Sequence, residues 1–488
     1  MPRRAALFLS IPLLAGALPP APPPVVPWPH GEPPTGARVA RLVKDAVELA
    51  DRERAEEILA AAEHGEDSDR LNTAQVDIDQ GRYDKAALFL IGDELFSHEF
   101  TLDNGYGDGA FVTMRRVHAG VRGGLDTFSC SGCHSVGGPD GAGAATQNAH
   151  LGGDGDRFST ANVRNPPAVL GLGLVQALAV EMSAELRKQR ADAIARAKET
   201  GAPQTVELRS KGVSFGALVV GADGIPDYRR IQGVDIDLTI KPFGWKGNVA
   251  RLRRFVEDAA RIHFGIQSHV LAIKHEKTPD PAHLGDGALW YDPDHDNHVH
   301  ELEEGVITAT ASYLAMLEAP VVLPPRDPGL LDRWAKGSAR FDGLGCASCH
   351  VRELPLQNRT WKETADTTAG EVAIKLLEDG DEPRGSPQIK LFSDLKRHDM
   401  GPALADPHDG EERLPRSVFL TRPLWGVAET PPYLHDGRAA TLPEAILAHG
   451  GEAKAARDAY AALSRDEQAN VTIFLLSLTR EPKVRVAR

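Results

Sequence analysis

The sequence predicts a mainly α-helical chain of two similar halves, with long loops and one small β-hairpin inserted in the first half. Three observations predict it. The pentapeptide Cys130-Ser131-Gly132-Cys133-His134 returns in form as Cys346-Ala347-Ser348-Cys349-His350, and an apolar run with helical spacing precedes each copy, at 88–96 and 330–341. Each copy is followed, at a distance, by a related segment: Asn165-Pro166-Pro167-Ala168-Val169-Leu170-Gly171 and Arg422-Pro423-Leu424-Trp425-Gly426-Val427. Glycine and proline clusters cut the remaining chain into short pieces.

In order, the chain opens with two arginines and a mostly apolar run, 5–18, leaving through Ala15-Gly16-Ala17. That is the pattern of a secretory leader over 1–17, too short for a permanent membrane helix. The mature protein is then expected to be soluble and periplasmic or otherwise exported. The proline-rich stretch 18–34 predicts an extended tether, and the periodic run 37–64 one or two amphipathic helices, so that 18–80 precedes the main body. The first half, 81–320, holds a helix at 86–96, glycine-rich loops at 104–109, 137–143 and 152–155, and a charged solvent-facing helix at 181–198. The hairpin falls at 206–220, turning at Ser210-Lys211-Gly212, before helices at 249–263 and 305–317. The proline-rich segment 320–328 separates it from the second half, 321–488. No other segment approaches eighteen uninterrupted apolar residues, so no stable membrane span is expected. The net charge of −14 disfavours a nucleic-acid partner and leaves a small basic redox-carrier protein acceptable.

The two pentapeptides contain all four cysteines of the chain. Cys-x-x-Cys-His is the attachment pattern of c-type haem: two thiols at this spacing reach the two vinyl groups of one porphyrin, and the next histidine falls beneath the iron. Two covalent haems are therefore expected, on Cys130, Cys133 and His134 and on Cys346, Cys349 and His350. A pair of disulfides is the competing reading of the cysteines. With two such motifs, the halves read as cytochrome-c-like domains, in which helices and long loops wrap the haem.

The run Thr430-Pro431-Pro432-Tyr433-Leu434-His435-Asp436-Gly437-Arg438, followed by Thr441-Leu442-Pro443-Glu444-Ala445, resembles the di-haem cytochrome c peroxidase superfamily. The resemblance is greatest to its di-haem oxidoreductase ("thiol oxidoreductase") branch. Glu99-Phe100-Thr101, Pro242-Phe243-Gly244-Trp245-Lys246, His398-Asp399-Met400-Gly401-Pro402 and His449-Gly450-Gly451-Glu452-Ala453 also match. The resemblance implies that electrons enter at the C-terminal haem and that peroxide, or a related oxidant, is reduced at the N-terminal one. By the family's register the axial residue of the C-terminal haem is His449, with Met400 as its rival. His150 stands where the peroxidases carry a removable distal histidine, the alternative being a surface-loop histidine. Glu181 matches the segment of their distal glutamate, a carboxylate able to move a proton between two oxygens; its alternative is an ordinary helix acid. The family's inter-haem tryptophan segment is missing, and Trp245 or Trp425 is the candidate aromatic relay, each equally readable as a core ring.

Residues 292–303 follow the twelve-position calcium-loop pattern, with Asp292, Asp294, Asp296, His298 and Glu303 as candidate ligands. A solvated acidic loop, or a transition-metal site using His295, His298 and His300, competes with it. Two further functions stay open: a non-catalytic electron-transfer cytochrome, and oxidation of a protein or thiol substrate. The chain has no cysteine outside the haem motifs to serve a thiol mechanism.

Overall fold

In the computed structural model the described residues are 70–101, 104–106, 127–144, 149–151, 162–266, 268–270, 301–377, 386–409 and 414–480. The expected leader, the tether, the helices at 37–64 and residues 292–300 of the acidic loop lie outside them.

Helices dominate, and several begin where the sequence supplies a cap. After the short α1 (Gln75–Asp79), Asp84 accepts a hydrogen bond from the Ala87 N–H and starts α2 (Lys85–Ser97). The one-turn helix α3 (Cys130–Cys133) carries the first cysteine pair. Strands β1 (Ala149–Leu151) and β2 (Asn162–Arg164) pair antiparallel, and His150 stands opposite Val163. Helix α4 (Leu172–Thr200) starts before the charged segment expected at 181–198, because Leu172–Ala179 is buried on every side and only the later turns face water. The predicted hairpin is β3 (Gln204–Ser210) and β4 (Val213–Val220), joined by β5 (Pro226–Asp227). Its turn residues Lys211 and Gly212 both have positive φ, as a tight two-residue turn requires.

Helix α5 (Leu252–Ala259) runs into one π-helical turn (Ala260–Phe264). Helix α6 (Glu304–Met316) is buried almost all round and lies against α2, so close that a Cβ on Gly92 would stand 2.3 Å from the Tyr313 Cβ. After β6 (Val321–Val322), α7 (Pro328–Gly343) leads into the second cysteine pair, capped by Asp327 with proline in its first turn. Further on, α8 (Leu442–Ala448), α9 (Lys454–Ala461) and α10 (Arg465–Leu475) complete the helices; α8 and α10 carry full capping boxes, Thr441 with Glu444 and Ser464 with Glu467.

One large core joins α4 and the β3–β4 sheet to Leu354, Trp361, Ile374 and Leu391, so residues from the second half of the sequence complete the core of the first. Trp361 belongs to a hairpin that the sequence reading did not include: the segment Thr360–Thr364 alternates buried and exposed residues and pairs with Glu371–Lys375. A separate core, with Phe341, Phe392, Tyr460 and Phe474, packs against Cys346 of the second cysteine pair.

Candidate functional site

Helix α7 delivers Cys346, Cys349 and His350 to the wall of a cavity of about 430 Å³, within the usual range for a bound cofactor. The walls are largely apolar, with Leu344, Leu442, Ile446 and Leu475 among them, and His449 and Met400 also line it. The His350 Nδ1 lies 3.1 Å from the Phe392 carbonyl, and the His449 Nδ1 lies 2.8 Å from the Ala445 carbonyl. A carbonyl only accepts, so each Nδ1 carries the proton and each Nε2 keeps its lone pair. Burial, then the charge of His449, lowers the His350 pKa to about 4, and burial lowers that of His449 as well, so both rings stay neutral. Their ring centroids are 6.5 Å apart. That spacing suits two imidazoles sharing one metal ion, each bond being about 2 Å.

None of the four cysteines forms a disulfide. Burial pushes the Cys346 thiol up to about 11, and burial together with the nearby Cys133 pushes Cys130 up to about 12. Redox-active cysteine pairs need a lowered pKa, so neither pair has the electrostatics of a thiol oxidoreductase motif. Two unpaired thiols beside a histidine that keeps a lone pair on Nε2, on a largely apolar wall, form a set that fits a covalently attached haem.

At the first motif, Ser129 caps α3 and His134 follows it. The His134 Nδ1 lies 3.2 Å from the Gly141 carbonyl, and burial lowers its pKa to about 4. The Phe96 ring stands 5.8 Å from the imidazole. The loop that presents Gly141 is held from outside. The Tyr313 hydroxyl donates to Asp140 at 2.6 Å, where Asp140 adopts a positive φ, and Arg480 donates to the carbonyls of Gly137 and Pro139 at 3.1 and 2.6 Å.

The segment between the motifs is also shared. Asn165 accepts from the Trp245 indole N–H at 2.7 Å and donates to the carbonyls of His435 and Pro432, each at 2.7 Å. Trp245 and Trp425 both line the cavity, and Gly171 lies so close to Trp425 that a Cβ there would be 2.7 Å from the ring. Arg422, another lining residue, places its guanidinium 5.8 Å over Trp245, and burial lowers its pKa to about 10. Behind this wall, Asp406 is gripped by Arg164 at 2.6 and 2.8 Å and by Lys246 at 2.9 Å, all three nearly inaccessible. Burial alone would raise the Asp406 carboxyl; Arg164 and then Lys246 hold it below the usual range.

The structure thus brings Cys346, Cys349, His350, His449, Met400, Trp245 and Trp425 to one cavity. Glu181 is not among its lining residues. Its carboxylate accepts from Lys211 Nζ and from the backbone N–H groups of Gln357 and Asn358, an arrangement that ties the hairpin turn to the 357–358 loop. His150 sits on β1, as described. Of the calcium candidates only Glu303 is described, at the N-cap of α6 with an oxygen 3.5 Å from the His269 Nδ1; Asp292, Asp294, Asp296 and His298 lie outside the described residues.

The sequence reading missed one group. His398 is buried, with Nε2 2.8 Å from Asp394 and Nδ1 2.7 Å from Glu452. Burial alone would lower its pKa; Asp394 and Cys349 outweigh this and raise it to about 11, and the Cys349 share disappears once that sulfur is bonded to carbon. Cys349, Asp394 and His398 place donor atoms within 4.8 Å of one another, but both His398 nitrogens are taken by carboxylates. The signal was present: His398 and Glu452 lie in stretches quoted above for the resemblance, without any role attached.

Residues 306–478 match the family model described as "Di-haem oxidoreductase, putative peroxidase". No curated protein matches the chain. Among solved structures, a MauG-like protein associated with microbial copper homeostasis is 15% identical, covering 81% of this chain and 88% of that one, with a TM-score of 0.34. The diheme peroxidase BthA from Burkholderia thailandensis is 14% identical, covering 82% and 89%, with a TM-score of 0.36. Hydrazine synthase from Kuenenia stuttgartiensis is 19% identical over 36% of this chain, with a TM-score of 0.23, and this chain spans only 56% of that one.

Proposed function

We propose that this chain, whose residues 306–478 match a di-haem oxidoreductase family model, is an exported enzyme with two covalent c-type haems that reduces peroxide or a related oxidant. The observation that carries the reading is the facing pair His350 and His449 across an apolar cavity that also exposes Cys346 and Cys349. Haem iron supplies one-electron and peroxide chemistry when bound. The chain's own residues divide the work. Cys346, Cys349, His350 and His449 hold the C-terminal haem with two nitrogen ligands, which suits an electron port facing a small redox-carrier protein. Arg422, on the cavity wall, would offer a cation to carboxylates of the bound group. Cys130, Cys133 and His134 hold the N-terminal haem, the reaction site, with His150 as the residue that withdraws to open it. Trp245 and Trp425, at the cavity wall, are the aromatic relay. Residues 292–303 hold a structural calcium ion, closed by Glu303.

The test is an optical and EPR titration of the purified holoprotein, oxidised and half-reduced, with and without hydrogen peroxide. The expected result is one low-spin bis-histidine signal that peroxide leaves alone and one haem that reacts with peroxide. Two low-spin haems indifferent to peroxide in every redox state would make the protein an electron carrier instead.

A further inference from the structure

Two candidate axial residues, His449 and Met400, line the same cavity, and the question is what decides between them. They sit on two loops in backbone contact. A Cβ on Gly451 would stand 2.0 Å from the Asp399 carbonyl oxygen, one on Gly450 2.8 Å from that of Met400, and one on Gly401 2.8 Å from the Gly451 nitrogen. Gly401 and Gly451 also have positive φ. Only glycines allow the loops to approach this closely.

A chain of polar contacts crosses the same seam. The Asp394 N–H donates to the Cys349 carbonyl at 2.9 Å, which ties Asp394 to the haem motif. The Asp394 carboxylate holds the His398 Nε2, and the Glu452 carboxylate takes the His398 Nδ1 with one oxygen and the Asp399 N–H, at 2.9 Å, with the other. His398 stands two residues before Met400, and Glu452 three residues after His449. The relay therefore runs from the proximal motif, through the methionine loop, to the histidine loop.

We infer that the His398–Glu452 pair is a positioning clasp that selects His449 over Met400 as the axial ligand of the C-terminal haem. The inference rests on the proposed bis-histidine site and goes beyond it. Its direction follows from the two anchors. The Met400 loop keeps its hold without Glu452, because the Met400 N–H donates to the Ser417 carbonyl at 2.8 Å and Arg397–Asp399 pairs with Val418–Leu420. The segment after His449 has Glu452 as its charged tie to the opposite loop. Releasing the clasp loosens the histidine loop and leaves the methionine loop in place on the wall of the same cavity.

The experiment uses the holoprotein with Glu452→Ala, Glu452→Gln, His398→Ala, Met400→Leu, His449→Ala and the double variant Glu452→Ala/Met400→Leu. It reads the EPR signal, the optical charge-transfer band of methionine–iron ligation and the reduction potential. Glu452 is half-exposed, so its variants keep the fold even if His398→Ala does not. Glu452→Ala is expected to gain the methionine band and a higher potential. The double variant should lose that band and turn high-spin, and Glu452→Gln, which keeps one acceptor oxygen, should fall between. Glu452→Ala indistinguishable from wild type, while His449→Ala alters the spin state, would overturn the clasp and leave the bis-histidine site standing. A low-spin signal that survives His449→Ala and disappears in Met400→Leu would overturn the axial assignment, and the clasp with it.

Discussion

The two Cys-x-x-Cys-His motifs solve one problem with different resources. Both histidines give their Nδ1 proton to a backbone carbonyl, but the N-terminal acceptor, Gly141, is 7 residues along, whereas the C-terminal acceptor, Phe392, is 42 residues away. The local solution is not self-sufficient. Its loop is propped by Tyr313 and Arg480, both remote in sequence. The distant solution is built into a core, since Phe392 packs with Phe341 and Phe474. The pentapeptide itself is local, while the support that orients its histidine is a tertiary matter.

Covalent attachment gives the largest effect. Cys346→Ser with Cys349→Ser is expected to remove one haem of two, and Cys130→Ser with Cys133→Ser the other, each seen as the loss of one haem in the intact mass. Loss of both haems from either pair would mean that the sites are not independent in attachment. Next comes the buried anchor between them. Asp406→Ala strands Arg164 and Lys246 without their carboxylate, and breaking a buried pair costs about 3–5 kcal/mol; chemical denaturation should show it, together with disturbance of both haem spectra.

A pH series sharpens the comparison in the haem-free chain. His134, His350 and His435 each have a folded pKa near 4, below the ordinary value of 6.5 and chiefly through burial. The unfolded chain therefore takes up protons first as pH falls. The share of stability due to these three should be full above pH 6.5 and decline between 6.5 and 4, whereas that of His398, raised to about 11, is full below 6.5 and lost as pH rises towards 11; denaturation midpoints at pH 7.5, 5.5 and 4 check the sign. A smaller effect belongs to the N-terminal prop alone. Tyr313→Phe leaves the Asp140 carboxylate short of a donor in a buried place, costing about 1–3 kcal/mol. It should perturb the EPR signal of the N-terminal haem and spare that of the C-terminal one. An equal change in both would show that Tyr313 supports the whole body.

Much of this was legible in the sequence where the signal is local. The turn at Ser210-Lys211-Gly212 fell where the sequence put it, and so did the helices that run up to each pentapeptide. His449 was reached only through the family's register, since nothing in its neighbours predicts that it faces His350. The roles of Asp394, His398, Glu452 and Asp406 were not legible, because a buried charge is recognised by its partner, and these partners are far apart along the chain. Glu181 shows the converse: a helix acid that matched a catalytic segment meets Lys211 and two backbone amides, contacts that no local pattern announces.

Arg480 closes the described chain onto the loop that presents Gly141 to the first histidine. During synthesis the first motif emerges long before this residue does, so the site that appears first is finished last. Until Arg480 is made, the loop that presents Gly141 lacks this clip. A truncation of a few residues before Arg480 should accordingly be felt at the far end of the sequence, in the environment of His134, more than at the helices beside the cut.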